Sequence, residues 1–160
     1  MEKKAYRIAE FSTKNSADAL DIVQDSMIKL VEKYADKPSD EWKPLFYRIL
    51  QSRIMDYFRR RKIQRSLFFW KTNENDALID SESDHITPER NLESERQMIK
   101  VTQALKVLPV RQQQCFLLRS WEGMNVKQTA MAMGCSEGSV KTHYSRAKQA
   151  LKLAIGDINE

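Results

Sequence analysis

Apolar side chains recur at three- and four-residue intervals along almost the whole chain, and the strict alternation that marks half-buried strands is nearly absent. That period commits the backbone to helices whose one face is buried. Within residues 17–34 the apolar set is Leu20, Val23, Met27, Leu30, Val31 and Tyr34, one stripe of a helix. Ser16 stands before it as a candidate N-cap, and Asp18 and Asp21 fall in the early turns, where the helix dipole favours acids. Over residues 45–62 a second stripe runs through Phe46, Ile49, Leu50, Ile54, Tyr57 and Phe58, with Arg48, Gln51, Ser52, Met55, Arg59 and Lys62 on the opposite face. Met98, Val101, Leu105 and Leu108 make a third, and residues 111–121 a fourth helix, stopped by Gly123. The predicted fold class is all-α.

The intervening segments divide the chain. Residues 36–44 hold two prolines and several turn formers and are predicted to be a loop. Residues 72–84 are rich in Asn, Asp, Glu and Ser, and Pro88 follows; such a composition predicts a flexible acidic linker. The expected organisation is therefore two small helical domains, 1–64 and 93–160, joined by a linker over 65–92. The apolar burst at 67–70 is expected to pack back on the first unit.

The segment after Gly123 carries the most chemistry. Asn125 with Gln128 three residues on is a capping-box arrangement. Gly134 sits where a tight turn needs positive φ, and Ser136 can cap the helix that follows. Val140, Tyr144, Ala147 and Leu151 form the inner face of that helix; Lys141, Thr142, Ser145, Arg146, Lys148 and Gln149 form the outer one. A second helix of this kind enters a major groove and presents donors to phosphates and base edges. The same spacing would suit two packed helices with a solvated basic face. The caps, the glycine turn and the polar face together favour a DNA-binding helix-turn-helix.

Charge agrees with an anionic partner. The chain of 160 residues has a formal net charge of +5, and five basic residues crowd into 59–65, more than a helix C-terminus needs. The two cysteines, Cys115 and Cys135, show neither CxxC nor metal-ligand spacing with His85 or His143, so they are expected to be reduced thiols, with no metal and no cofactor. No apolar run reaches membrane-spanning length and no secretory signal opens the chain, so the expectation is a cytoplasmic protein without membrane insertion. No Ser-His-Asp set, Gly-rich phosphate loop or HExxH motif is present, which argues against an enzyme.

Several separate stretches resemble the sigma factors of bacterial RNA polymerase, in their compact extracytoplasmic-function (ECF) group. Leu108-Pro109 followed by Arg111, Phe116 and Leu118 is similar to the opening of the family's C-terminal domain. Trp121 to Asn125, Gln128-Thr129-Ala130, Gly138 to Lys141 and Ser145 to Lys148 resemble its helix-turn-helix. In the first half, Asp21 to Asp25 resembles a helix signature of the family. Tyr47-Arg48-Ile49, Asp56-Tyr57 and Arg59 to Arg61 resemble its promoter-melting helix. Ser52 stands where many members have Asn, and Leu45-Phe46 replaces Trp-Leu. The family's first domain normally starts further upstream, which implies a truncated start or a short first helix.

The resemblance implies roles. Asp21, Gln24 and Asp25 would bind core RNA polymerase. Trp42 would capture unstacked minus-ten bases, with Arg48, Arg53, Arg59, Arg60 and Lys62 on the phosphates. Arg111, Lys127, Ser139, Lys141, Thr142, Ser145 and Arg146 would contact minus-thirty-five DNA. Core RNA polymerase and promoter DNA are the implied partners, an anti-sigma factor a further one. The rival readings are a stand-alone regulator that binds duplex DNA by itself, a metal-dependent nuclease using Asp21 and Asp25, and a protein-interaction module.

Overall fold

The computed structural model describes residues 2–71 and 92–156, the side chains of 64–71 excepted. Among the described residues seven α-helices follow one another: α1 (Glu2–Thr13), α2 (Ser16–Tyr34), α3 (Ser39–Lys71), α4 (Leu92–Val107), α5 (Val110–Phe116), α6 (Val126–Met133) and α7 (Glu137–Gly156). A π-helical segment, Leu117–Trp121, continues α5. The described residues contain no strand, as the periodicity predicted. The acidic stretch 72–84 and the side chains of 67–70 lie outside the described residues.

The first half packs α1 and α2 against α3. Ala5, Ile8, Ala9 and Ser12 form the buried face of α1, a stripe at i, i+3, i+4, i+7. Asn15, rather than Ser16, caps α2: its side chain accepts from the Asp18 amide at 3.0 Å. The buried face of α2 is also rotated from expectation. It comprises Ala19, Ile22, Val23, Ser26 and Leu30, whereas Leu20 is 46% and Val31 56% exposed. Large side chains suggested the stripe, but small ones define it. Ala19 and Ser26 let neighbouring helices approach, and the Ser26 hydroxyl is satisfied by the Ile22 carbonyl at 2.7 Å.

Helix α3 is longer than predicted at both ends. The expected loop over 36–44 contracts, because Asp40 and Glu41 lie in the first turn of the helix, where the dipole favours acids. Pro44 is accommodated inside the helix, at the loss of one backbone hydrogen bond. The helix passes the expected boundary at residue 64 and ends at Lys71. Leu45, Phe46 and Tyr47 are consecutive and all buried, which a helix allows only when neighbours cover more than one side. Those neighbours are α1 and α2 on one flank and α6 on the other. Gln51, placed by periodicity on the polar face, is buried for this reason.

In the second half Leu105, Cys115, Leu117, Leu118, Met133, Val140 and Leu151 close the interior. Met98, expected on the buried stripe of α4, is 67% exposed, whereas Leu105 further along the helix is buried. Residues 111–121 are not one regular helix. The Glu122 amide donates to the Leu117 carbonyl at 3.0 Å, a π-type bond that widens the last turn. The apolar interiors of the two halves are continuous, an arrangement that two domains on a linker did not suggest.

The turn between α6 and α7 follows its sequence closely. Asn125 Oδ1 accepts from the Gln128 amide at 2.8 Å, and Gln128 Oε1 accepts from the Asn125 amide at 3.0 Å. Gly134 adopts φ 62° and ψ 40°, the left-handed cap, and the Cys135 amide donates to the Ala130 carbonyl at 3.1 Å. Nothing lies within 4 Å of a Cβ built on Gly134, so a substitution there meets backbone strain and no clash. Gly134→Ala should therefore lower stability by about 1–2 kcal/mol, the usual cost of a left-handed L-residue. A urea titration followed by circular dichroism checks this, and an unchanged midpoint would refute it.

Candidate nucleic-acid interface

The recognition helix α7 is anchored before it is decorated. The Ser139 amide donates to Ser136 Oγ at 3.1 Å, which satisfies one free amide of the first turn. Val140, Ala147 and Leu151 are buried and turn the opposite face outward. Lys141, Thr142, Ser145 and Arg146 are all exposed. The Thr142 hydroxyl donates back to the Gly138 carbonyl at 3.0 Å, so the side chain's methyl remains for apolar contact. Ser139 is half-buried, and its hydroxyl accepts from that of Ser136 at 3.0 Å; the residue serves the cap.

Like Ser139, Arg111 has a structural duty. Arg111 is half-buried and donates through Nη1 to the Met133 carbonyl at 2.8 Å, tying α5 to the end of α6. Lys127, in the first turn of α6, is exposed. His143 of α7 is half-buried. Here its Nδ1 is buried with no partner among the described residues. Burial first, then the Arg111 and Arg146 guanidiniums, pull its pKa below 6.5. Tyr144 is clasped by Arg119 at 5.1 Å and Lys148 at 4.7 Å and stacks on Phe116, stiffening the middle of the helix.

The basic residues of α3 divide into two faces. At about 100° per residue, Arg48, Arg59 and Lys62 share one exposed face, while Arg53 and Arg60 project roughly 120–140° away. Arg53 and Arg60 instead line a groove of about 230 Å³ with Asp18, Asp21, Asp25, Asp56 and Tyr57. The structure thus brings these two arginines beside the acids of α2, not beside Arg48. Tyr57 is more than a core residue: its hydroxyl donates to Asp18 at 2.9 Å, and Arg61 lies over its ring at 5.5 Å. Arg59 pairs with Asp56 at 3.5 Å on the surface. Trp42 lies in the first turns of α3, not in a loop, and its indole N–H donates to the Lys37 carbonyl at 2.9 Å. Asp21, Gln24 and Asp25 are exposed on α2, flanked by the exposed apolar side chains of Leu20, Ile28 and Val31.

Burial pushes the Cys115 thiol up to about 11, so it stays protonated at neutral pH. Among the described residues no three His, Cys, Asp or Glu side chains could together hold a metal ion. No described helix is long and apolar enough to cross a membrane.

A capped, glycine-turned helix pair with a cationic outer face, joined to a second helical unit with its own basic helix, defines a helix-turn-helix DNA-binding protein of two parts. Residues 2–63 match Sigma-70 region 2 and residues 98–151 match Sigma-70 region 4. The chain is 32% identical over 136 residues to the RNA polymerase sigma factor NccH of Alcaligenes xylosoxydans xylosoxydans, covering 84% of this chain and 72% of that protein. It is 26% identical over 162 residues to the ECF RNA polymerase sigma factor SigM of Mycobacterium tuberculosis, covering 98% and 74%. Its fold is similar to that of the sigma factor RpoE of Bartonella quintana, solved in complex with the anti-sigma factor NepR. The TM-score is 0.74 at 22% identity, over 97% of this chain and 91% of that one. The chain belongs to the sigma factors of RNA polymerase, in the ECF group. It is a transcription initiation factor and not an enzyme.

Proposed function

We propose that the three exposed surfaces divide the work of initiation. The face of α2 bearing Asp21, Gln24 and Asp25 docks core RNA polymerase. Its acids and amide suit a basic partner through charge-assisted hydrogen bonds, and Leu20, Ile28 and Val31 beside them, all exposed, supply apolar area. Arg48, Arg59 and Lys62 on α3 hold the minus-ten phosphates. Trp42 offers a ring on which an unstacked base can lie, worth about 1–3 kcal/mol per base. Arg53 and Arg60, beside the acids, join the DNA once polymerase has engaged Asp21 and Asp25.

Helix α7 enters the minus-thirty-five major groove. Arg146 and Lys141 are suited to guanine O6 and N7, Thr142 to a thymine methyl and Ser145 to either type of base edge. Lys127 and Arg111 take flanking phosphates, and His143 joins them. Ser139 acts on DNA indirectly, through the cap of α7. The single observation that carries this reading is the exposure of Lys141, Thr142, Ser145 and Arg146 on one capped helix. The division expected from the sequence, 1–64, 65–92 and 93–160, is kept as a proposal, with α3 running on to Lys71. Its work is placed in the cytoplasm, with the template. An anti-sigma factor, the class of partner seen on the Bartonella RpoE, is proposed as its regulator.

Run-off transcription with purified core polymerase and a promoter library tests the reading. Transcripts that depend on the chain and share two spaced upstream elements are expected. No stimulation, together with tight sequence-specific duplex binding by the chain alone, would make it a conventional regulator.

A further inference from the structure

The recognition helix is held in two different ways. Val140, Ala147 and Leu151 bury its inner face, and burial of apolar area is non-directional. It seats the helix without setting how far the helix is rolled about its own axis. Roll matters to a reader of bases. Side-chain ends lie about 5–6 Å from a helix axis, so a roll of about 10° carries them roughly 1 Å. That is enough to spoil hydrogen bonds that need N–H···O distances of about 2.9 Å and angles above about 150°. Directional contacts must therefore fix the roll. At the start of α7 the Ser136 cap contributes, and Cys115 Sγ donates to the Val140 carbonyl at 3.4 Å. Further along, among the described residues, such contacts gather on Tyr144. The Arg119 guanidinium lies 5.1 Å and the Lys148 ammonium 4.7 Å from its ring centre, both within the roughly 6 Å at which a cation is drawn to an aromatic face. Phe116 stacks on the ring at 6.0 Å with 24° between planes. The Tyr144 hydroxyl shares a hydrogen bond with that of Ser120 at 3.0 Å. Arg119 Nη1 also donates to the Met124 carbonyl at 2.7 Å, immediately before the cap of α6.

We propose that Tyr144 is a positioning residue for minus-thirty-five reading: it touches no base itself, and its contacts set the roll of α7 at which Lys141 and Arg146 meet theirs. The inference rests on the assignment of α7 to the major groove above. One ring ties α7 to α5 through Phe116, to the π-type turn Leu117–Trp121 through Arg119 and Ser120, and onward through Arg119 to the entry of α6. A π-type turn is an irregularity that recurs at functional sites, and here it carries two of the groups that hold the recognition helix. Lys141 precedes Tyr144 by three residues and Lys148 follows it by four, so the three share one flank of the helix. Lys148 is exposed, but its ammonium is committed to the ring, which makes it an anchor of the helix and not a phosphate contact. Loosening this hub leaves the cations of the outer face in place. Attraction to phosphates, which is independent of sequence, persists, while the hydrogen bonds that distinguish one base pair from another lose their alignment.

Discrimination by the holoenzyme tests this. Core polymerase loaded with the full chain is titrated with a matched promoter and with templates altered at single minus-thirty-five base pairs, and the ratio of affinities is the readout. Tyr144→Leu keeps apolar bulk and removes the ring. It should lower the ratio about fivefold or more, as when one base contact is lost, with binding to unrelated duplex and its salt dependence unchanged. Lys148→Met keeps the stem and deletes the charge; it should lower the ratio by a smaller factor, again without reducing the salt dependence. An unchanged ratio for Tyr144→Leu, or an equal loss on every template, would overturn the proposal. So would a reduced salt dependence with an unchanged ratio for Lys148→Met, the behaviour of a phosphate contact. Lys148 is exposed, so its variant decides the matter should Tyr144→Leu fail to fold. Arg146→Ala and Lys141→Ala separate this idea from the one beneath it. If they lower the ratio and Tyr144→Leu does not, the positioning role alone is refuted; if none of the three lowers it, α7 does not read bases.

Discussion

Phe46→Ala is expected to lower the stability of the chain by about 3–5 kcal/mol, the usual cost of deleting a buried phenyl group. Phe46 is 0% exposed, and its ring meets that of Tyr47 edge-on at 5.3 Å. It belongs to the part of α3 that is covered from more than one side, so the surroundings have little freedom to collapse into the space left behind. Domains of this size are stable by only about 5–15 kcal/mol, and the loss is therefore a large share of the total. Urea titration should show a lower midpoint with the slope retained. Leu20→Ala is the contrast. Both residues lie on apolar stripes in the sequence, but Leu20 is 46% exposed and its truncation should change stability by no more than about 0.5 kcal/mol. Equal effects at the two positions would mean that the helix packing described above is wrong.

Truncating the recognition face should act on promoters and spare the fold. Arg146→Ala and Lys141→Ala are each expected to cost about 1–3 kcal/mol at a single base pair of the minus-thirty-five element, roughly a 5- to 150-fold loss in promoter binding. Both side chains are exposed, so the melting curve should stay close to wild type. The loss should disappear on a template already altered at the contacted base. Lys127→Ala, at a proposed phosphate contact, should weaken every promoter evenly and reduce the salt dependence. Arg111→Ala should differ from all three, because Arg111 also holds the Met133 carbonyl and its removal should lower stability as well. The readouts are run-off transcription on paired templates and urea titration of each variant. Uniform loss across templates for Arg146→Ala would remove it from base reading.

The two predictions draw on different kinds of information. The recognition helix was legible in the sequence because its determinants are local. Asn125 and Gln128 are three residues apart, Ser136 and Ser139 are three apart, and Gly134 needs only its own backbone to adopt positive φ. Short-range interactions of this kind do not depend on what packs against them. The buried face of α2 was not legible in the same way, since Ala19 and Ser26 become core only because other helices come close to them. The faces of α3 mislead for a related reason. Its basic residues are adjacent in sequence, but Arg53 and Arg60 belong to a groove completed by α2.

By itself, then, the sequence determined the helical class, the helix-turn-helix with its caps and outer face, and the two-part order. Tertiary structure alone decided how the halves meet. Gln51 was assigned to solvent by its period and is buried against Gln114, 63 residues away. Gln114 reaches Ser12 across 102 residues, and Glu122 meets Lys43 across 79. A glutamine or a glutamate carries no periodic signal that it will be buried. Its burial is favourable only when a distant partner supplies the hydrogen bond or the opposite charge, and that partner is chosen by the packing of α3 and α1 on α5 and α6.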